Sequence, residues 1–255
     1  MFGEKLYDIP ANVYGLGTDL TETSDFKAPA PEGIDAIGAS SEGASLYQQI
    51  REDIIEGRLA ANERLVVTDL ARRHGTSTNP VREALQLLRG EGFVTLIANR
   101  GARVRPIDQD FVRDIYEIGV LIEPALTQWF VNMATAEDIA ELERLQDLIE
   151  ENNFADTLRH SELDTAFHTV MYQKHYNRHA AELWWKHREV LRAVSRRFDF
   201  TLARRAAILR EHRELIALVK AGNANEAAQL IARHVEGSGR HILEHMRARN
   251  AARAG

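Results

Sequence analysis

The sequence predicts a mostly α-helical protein in which an N-terminal winged helix-turn-helix with a small β wing precedes a C-terminal all-α six-helix bundle. Residues 65–104 have the pattern of two short helices followed by a hairpin, with glycines at the breaks. After Pro106 the strand signals end, and six helical stretches follow that are separated by short polar turns. We therefore expect a flexible acidic extension at 1–44, a winged head at 45–105 and an all-α domain at 106–250.

The head is predicted to begin with an amphipathic helix, because Leu46, Ile50 and Ile54 recur at helical spacing. A short helix follows, for which Thr68 is a candidate N-cap and Gly75 provides the break before the next helix. This order of elements is what a helix-turn-helix requires.

The next helix has two unlike faces. It starts within residues 77–80, where Ser77 and Asn79 are suitable N-caps and a proline is tolerated because first-turn amides lack intrahelical partners. Its apolar residues can pack on the preceding helices, while Arg82 and Gln86 lie on another face. That polar face is suited to a DNA major groove.

A β hairpin is predicted after this helix. Residues 93–97 are rich in β-forming side chains, a turn follows at 99–101, and residues 102–105 return as a second strand. Arg100 lies at the tip of the hairpin. The hairpin is the expected wing.

Three motifs of the head occur together in one known family: PVREAL at 80–85, EGF at 91–93 and NRG at 99–101. With these motifs, residues 45–105 resemble the winged head of GntR-type bacterial transcription regulators. The resemblance implies that the start of the recognition helix and the wing contact double-stranded operator DNA. The residues implied are Ser77, Thr78, Asn79, Arg82, Arg100 and Gly101.

Thr78 departs from the family pattern, which usually has an arginine at this position. Arginine reads guanine through two hydrogen bonds, whereas threonine makes weaker and less selective contacts. We therefore expect the operator to differ from the usual one. For Arg82 the alternative is an ion pair with a neighbouring carboxylate such as Glu83, but the surrounding motif favours DNA contact.

The composition excludes several classes of protein. A chain of 255 residues with 44% hydrophobic residues is long enough for two domains with buried cores. It has no cysteine, which excludes disulfide frameworks, thiolate metal sites and cysteine nucleophiles. It also lacks a signal-peptide pattern and any apolar run near the ~20 residues that cross a bilayer, so we expect a cytoplasmic protein without membrane contact.

The net charge of −6 is unevenly distributed. Residues 1–44 carry a net charge of −6, residues 45–105 carry +3, and residues 106–255 carry −3. Because a local row of arginines binds phosphates whatever the total charge, the positive head is compatible with DNA binding.

Histidines and a carboxylate suggest a second site in the bundle. Asp164 and His168 are four residues apart and therefore share one helix face, and an antiparallel bundle can bring His212 and His234 to them. One carboxylate and three neutral imidazoles suit zinc above all, with nickel, manganese or iron(II) as alternatives. Spacing alone does not select these residues, because two other histidine pairs have the same spacing: His175 with His179, and His241 with His245.

Residues 107–245 resemble the FCD ligand-sensing domain of the FadR-like branch of GntR regulators, and the six-helix count resembles its VanR-like version. The match consists of D-x3-H at 164–168, EH at 211–212 and a final histidine at 234. The resemblance implies a divalent metal ion held by Asp164, His168, His212 and His234, and a small organic acid as effector. The alternative is a cluster of hydrogen-bonded core histidines.

Gly119 is a second departure from the family pattern. An arginine is frequent at this position, within the motif Y-E-x-R-x-x-x-E at 116–123, so we expect an altered pose of the effector carboxylate. Asn177 and Arg192 are candidate effector contacts that would replace it. Arg188, Arg192 and Arg196 also recur every four residues and form one stripe on the helix. Such a stripe is more typical of a solvated or salt-bridged helix face.

We interpret the sequence as a ligand-responsive, DNA-binding transcription regulator, a repressor rather than an activator and not an enzyme. A homodimer is expected, since one small head makes few base contacts and two heads at fixed spacing supply specificity. Two alternatives stay open: a metal-dependent hydrolase tethered to DNA, motivated by the histidine and carboxylate set, and a DNA-binding dimer that senses no small molecule.

Overall fold

The computed structural model describes residues 41–55, 57–97, 101–195 and 198–254. The N-terminal extension up to residue 40, Arg100 at the predicted wing tip and Arg196 lie outside the described residues. The elements of the head are α1 (Ser41–Ile55), β1 (Arg64–Leu65), α2 (Val67–His74), α3 (Thr78–Gly90), β2 (Val94–Ile97) and β3 (Gly101–Val104).

The head is held together by the apolar faces of its helices. Ile50 of α1 and Val81, Ala84 and Leu88 of α3 are completely buried, so the predicted helical spacing does place these side chains in a core. The first helix begins at Ser41, inside the stretch that we predicted as part of the extension.

The wing is a sheet of three strands rather than the predicted two, in the order β1-β3-β2 with antiparallel pairing. The additional strand β1 has only two residues, which is too short to show an alternating pattern in the sequence. The close approach of β1 to β3 explains why residue 101 is a glycine. The φ angle of Gly101 is +91°, and a Cβ atom there would lie 2.2 Å from the backbone oxygen of Leu65. Only glycine fits this position.

Two of the three predicted helix ends differ in detail. Val66, not Thr68, is the N-cap of α2, so the prediction for Thr68 is wrong and its side chain lies in the first turn. Ser77 does occupy the N-cap position of α3, but its side chain makes no capping hydrogen bond. Gly75 ends α2 in the left-handed conformation, as predicted from its place between the helices.

Six helices form the C-terminal part of the described chain, which confirms the predicted all-α bundle. They are α4 (Gln109–Met133), α5 (Ala136–Asn152), α6 (Thr157–Tyr172), α7 (Arg178–Ser195), α8 (Leu202–Lys220) and α9 (Ala224–Ala254). Within the described ranges, no helix combines the length and apolarity needed to cross a membrane.

The bundle and the head share part of one hydrophobic core. Val190 and Val194 of α7, and Ile242 and Met246 of α9, belong to the same buried cluster as the side chains of α1 and α3. The remaining bundle side chains form a second cluster around Phe167 and its neighbours. The helices α7 and α9 therefore run from the interior of the bundle to the base of the head.

Candidate metal centre, ligand cavity and DNA-reading face

Three helices of the bundle bring three histidines together. His168 of α6, His212 of α8 and His234 of α9 are buried, and one ring nitrogen from each lies within 4.8 Å of the others. The ring of His212 is also stacked on Phe167, with 4.4 Å between the ring centroids. The structure thus brings together, from positions far apart in the chain, the three imidazoles that the family resemblance implied as metal ligands.

The hydrogen-bond partners of these rings leave nitrogens free for an ion. His212 Nδ1 lies 2.9 Å from Gln146 Oε1, and His234 Nδ1 lies 2.8 Å from Glu211 Oε2, so each Nδ1 donates and each Nε2 keeps its lone pair. His212 Nε2 and both ring nitrogens of His168 are buried without a hydrogen-bond partner. Buried polar atoms are rarely left unpaired, and a metal ion would satisfy them. The residues present therefore fit a divalent ion.

Asp164 borders the histidine cluster but is paired with another residue. Its Oδ1 lies 3.5 Å from His212 Nε2, and its Oδ2 forms an ion pair with Arg188. Arg188 Nε also donates a hydrogen bond to Thr165 Oγ1. The fourth predicted ligand is thus within reach of the cluster, and the arginine is a competitor for its carboxylate.

The electrostatic environment keeps the three rings neutral. Burial lowers the pKa of His168 and His212 well below the ordinary histidine value, and it lowers the pKa of His234 as well. Neutral imidazole is the form that binds metal ions. The ion pair between Glu211 and Arg204 at 3.0 Å holds the carboxylate that orients His234.

The other four histidines with matching spacing lie away from this cluster. His175 packs edge-on against Trp129, and His241 is stacked on Phe200. His245 contacts His241, with 4.2 Å between the ring centroids. His179 is exposed at the start of α7. None of them belongs to the group of convergent ligand atoms found among the described residues.

A cavity opens beside the histidine cluster. Asp164, His168 and His234 line it together with two arginines of α7, Arg188 and Arg192. About 80 Å³ of its space is open to the centres of water molecules. Because one water needs about 10–15 Å³ by this measure, the cavity holds several waters or one small organic molecule.

The two candidate effector contacts differ in position. Arg192 lines the cavity and donates to Glu189 Oε2 at 3.0 Å, so the predicted salt bridging is observed for Arg192, and it is observed for Arg188 through Asp164. Asn177 does not line this cavity: its Oδ1 accepts the amide of Ala180 at the start of α7. It precedes Arg188 by eleven residues, which is about 16 Å along a helix. Asn177 and Arg192 therefore line different cavities, and their roles as effector contacts stay predictions.

The start of α3 presents the predicted DNA-reading residues on the surface. Ser77, Asn79 and Arg82 are exposed, and Thr78 is half-buried. In the part of the chain that the structure describes, Arg82 has no ion pair, so the alternative of a pair with Glu83 is not observed. Because Ser77 leaves the first amides of α3 uncapped, the positive end of the helix dipole is available to a phosphate.

Sequence analysis missed Gln146 as a member of the site. It is completely buried on α5 between Leu142, Leu145 and Ile149, on an otherwise apolar face. A polar residue on an apolar helix face was the available signal, since such a side chain needs a buried partner.

Two sequence models match the chain, and together they cover the head and most of the bundle. The model described as bacterial regulatory proteins, gntR family, matches residues 43–104, and the model of the FCD domain matches residues 114–237. The chain belongs to the GntR family of bacterial regulators and contains an FCD domain. This GntR-family protein therefore has the DNA-binding head and the helical domain that the motifs indicated.

Curated relatives of this GntR-family protein are named as transcription regulators. YdhC of Bacillus subtilis is 28% identical over 204 residues, which are 79% of this chain and 89% of YdhC. The HTH-type transcriptional repressor GlaR of Escherichia coli is 27% identical over 207 residues, with 74% of this chain and 90% of GlaR covered. The family and these relatives identify the chain as a DNA-binding regulator.

Solved structures have the same fold. Escherichia coli McbR/YncC superposes with a TM-score of 0.63 at 18% identity, covering 81% of this chain and 99% of that chain. A protein described as a GntR transcriptional regulator from Rhodococcus sp. RHA1 has a TM-score of 0.60 at 25% identity, covering 80% and 99%. The arrangement of head and bundle is thus shared with both.

Proposed function

We propose that this GntR-family protein is a repressor whose helical domain binds a divalent metal ion and a small organic acid, and which releases operator DNA when the acid binds. The observation that supports this proposal is the set of unpartnered ring nitrogens of His168 and His212 beside a cavity that also contains arginines. Such a combination of metal ligands and cations suits a carboxylate ligand.

The metal ion would be held by His168, His212, His234 and Asp164, with zinc as the best match to this ligand set. When bound, the ion supplies a Lewis-acid position for the carboxylate of the effector. Gln146 and Glu211 orient two of the imidazoles through their Nδ1 atoms. Arg188 and Arg192 would attract the negative charge of the acid to the cavity.

A buried chain of ion pairs connects the cavity to the head. Arg192 in the cavity wall donates to Glu189, and Arg51 of α1 donates to the same carboxylate at 2.9 Å. Arg51 Nε lies 3.7 Å from Glu91, whose carboxylate accepts a hydrogen bond from Tyr47 at 2.6 Å. An anion that draws Arg192 away from Glu189 would therefore change the ion pairs of the carboxylate that binds Arg51 of the head.

In this mechanism the protein acts as a homodimer on a pseudo-palindromic operator. The acid shifts the heads to a spacing that no longer fits two half-sites. The acid can shift this equilibrium only to the extent that it binds the two arrangements of the heads with different affinities.

The test of the proposed function uses the metal-loaded protein and an operator selected from random DNA. We expect at least one small organic acid to weaken operator binding by roughly 5–150-fold, the usual range of allosteric coupling. Fluorescence anisotropy of labelled operator measures this change. Protein treated with a chelator is the control and should not respond to the acid. Unchanged operator affinity with every acid, at concentrations that saturate the protein, would contradict sensing.

Arg82 is expected to be a principal DNA contact. We expect Arg82→Ala to weaken operator binding about 5–150-fold, because the loss of one base-reading arginine costs ~1–3 kcal/mol. The matched control is Arg233→Ala, which removes an exposed arginine from α9 far along the chain from the head. If both variants bind the operator equally well, Arg82 has no role in reading DNA.

A further inference from the structure

One acid in the cavity wall, Glu123, has no cation in direct contact among the described residues, although the charge of Arg188 acts on it from a greater distance. Asp164 is paired with Arg188, but no lysine or arginine of the described residues forms an ion pair with Glu123. Glu123 is only 9% exposed, and its Oε2 accepts a hydrogen bond from the Tyr172 hydroxyl at 3.2 Å. A buried carboxyl group without a cation is costly, and such groups concentrate at binding sites.

The absence of a side chain at residue 119 exposes this acid to the cavity. Gly119 lies one helical turn before Glu123 on α4, and both residues line the cavity. A Cβ atom at residue 119 would lie 3.3 Å from Glu123 Oε1 and 3.2 Å from Val235 Cγ1. A longer side chain would therefore occupy the space in front of the carboxyl group.

The cavity thus has two chemically different regions. The histidine cluster and two arginines, Arg188 and Arg192, suit a carboxylate, whereas Glu123 suits a hydrogen-bond donor with a positive charge. Burial raises the pKa of Glu123 to about 7, although the charge of Arg188 and hydrogen bonds from Tyr172 and Trp184 act in the opposite direction. A cation directly beside the carboxyl group would hold it in the ionised form. A ligand hydroxyl would donate a hydrogen bond but would add no positive charge beside the carboxylate.

We propose that the effector is an amino acid, with its ammonium group paired to Glu123 and its carboxylate at the histidine cluster. The inference rests on the proposed function, because it assumes that the same cavity binds an acid. It adds the class of ligand and assigns Glu123 as the residue that determines specificity.

The test compares amino acids with acids that lack only the amino group. The metal-loaded protein is titrated calorimetrically with the twenty common amino acids and their desamino analogues, such as aspartate with succinate and malate, or alanine with propionate and lactate. We expect at least one amino acid to bind about 30-fold or more tightly than its desamino and hydroxy analogues, as loss of a buried charge pair predicts.

Glu123→Gln is the matched variant. Glutamine has the same shape and resembles the protonated acid, so we expect the fold and the affinity for the desamino acid to be retained. The preference for the amino acid should fall below about threefold. Thermal unfolding of the unliganded variant checks its fold.

Two results would overturn the inference. The wild type could bind the desamino or hydroxy acids as tightly as every amino acid, or Glu123→Gln could keep the full preference. In either case acids still bind and the proposed function stands. If no acid of any type binds to the metal-loaded protein, both the inference and the proposed sensing function fail.

Discussion

Replacement of His212 by alanine is expected to abolish stoichiometric binding of a divalent metal ion. His212 Nε2 is one of three convergent ring nitrogens, and it makes no hydrogen bond within the protein. An ion present at 1,000 times its Kd stabilises the folded state by about 4 kcal/mol. For a protein of this size that corresponds to a rise in Tm of roughly 10 °C. We expect Zn²⁺ to raise the Tm of the wild type by this amount and to leave His212→Ala unchanged.

Elemental analysis after gel filtration gives the metal content directly. The control is His179→Ala, which removes an exposed histidine outside the cluster and should bind the ion as the wild type does. Equimolar zinc in purified His212→Ala would exclude the proposed site. A wild type that binds no zinc, nickel, manganese or iron(II) would instead favour a core of neutral histidines.

The same measurements determine whether Asp164 is a ligand. Its carboxylate is near His212 but is paired with Arg188. If Asp164 binds the ion, Asp164→Ala should weaken binding by more than the roughly 10–100-fold that follows loss of an outer partner. Unchanged affinity would leave the three histidines as the ligands and assign Asp164 to the ion pair alone.

Replacement of Glu189 by glutamine is expected to uncouple the effector from the operator. Glu189 is the carboxylate shared by Arg51 of the head and Arg192 of the cavity wall. We expect the acid to change the operator affinity of this variant little or not at all. The acid should still bind, because Glu189 itself does not line the cavity. Anisotropy with operator DNA and calorimetry with the acid measure the two quantities separately.

Glu189→Gln should also destabilise the protein. The side chains of Arg51 and Glu189 are only 6% and 10% exposed, and removal of one partner of a buried ion pair costs about 3–5 kcal/mol. Glu91, 3.7 Å from Arg51, offsets part of this cost. Glu182→Gln on the same helix is the matched control and should be near neutral.

A double variant distinguishes the loss of the Arg51–Glu189 ion pair from a general loss of stability. In Arg51→Met with Glu189→Gln the buried arginine of α1 is removed together with its partner, and only the half-buried Arg192 remains beside a neutral residue. We therefore expect the double variant to be more stable than the sum of the single effects predicts. Additive losses of stability, together with wild-type coupling in Glu189→Gln, would show that the ion pair neither holds the head nor transmits the effector signal.

Much of the fold was accessible from sequence because local patterns dominate it. The helical spacing of Leu46, Ile50 and Ile54 predicts the buried face of α1, and all three side chains are buried. Elements without a local pattern were missed or misplaced. The strand β1 has two residues and forms only because β3 supplies its hydrogen-bond partners. The cap of α2 is Val66, which has no side-chain signal.

The candidate site shows the same division. The sequence placed Asp164 and His168 on one helix face, but other histidine pairs have equal spacing, and family resemblance was needed to choose among them. The sequence offered Asn177 and Arg192 together as candidate effector contacts, but it does not tell which cavity each residue lines.

By itself, the sequence determined the order of the helices and of the wing hairpin, because these follow from periodicity and turns within one segment. The candidate metal ligands were selected by family resemblance, because several histidine pairs have equal spacing. Only the tertiary structure decided that Gln146 orients His212, that Arg51 and Arg192 share Glu189, and that Gly119 leaves Glu123 open to the cavity. The physical reason is that hydrogen bonds and ion pairs depend on distances of a few ångströms between helices, and Arg51 and Glu189 are 138 residues apart in the chain.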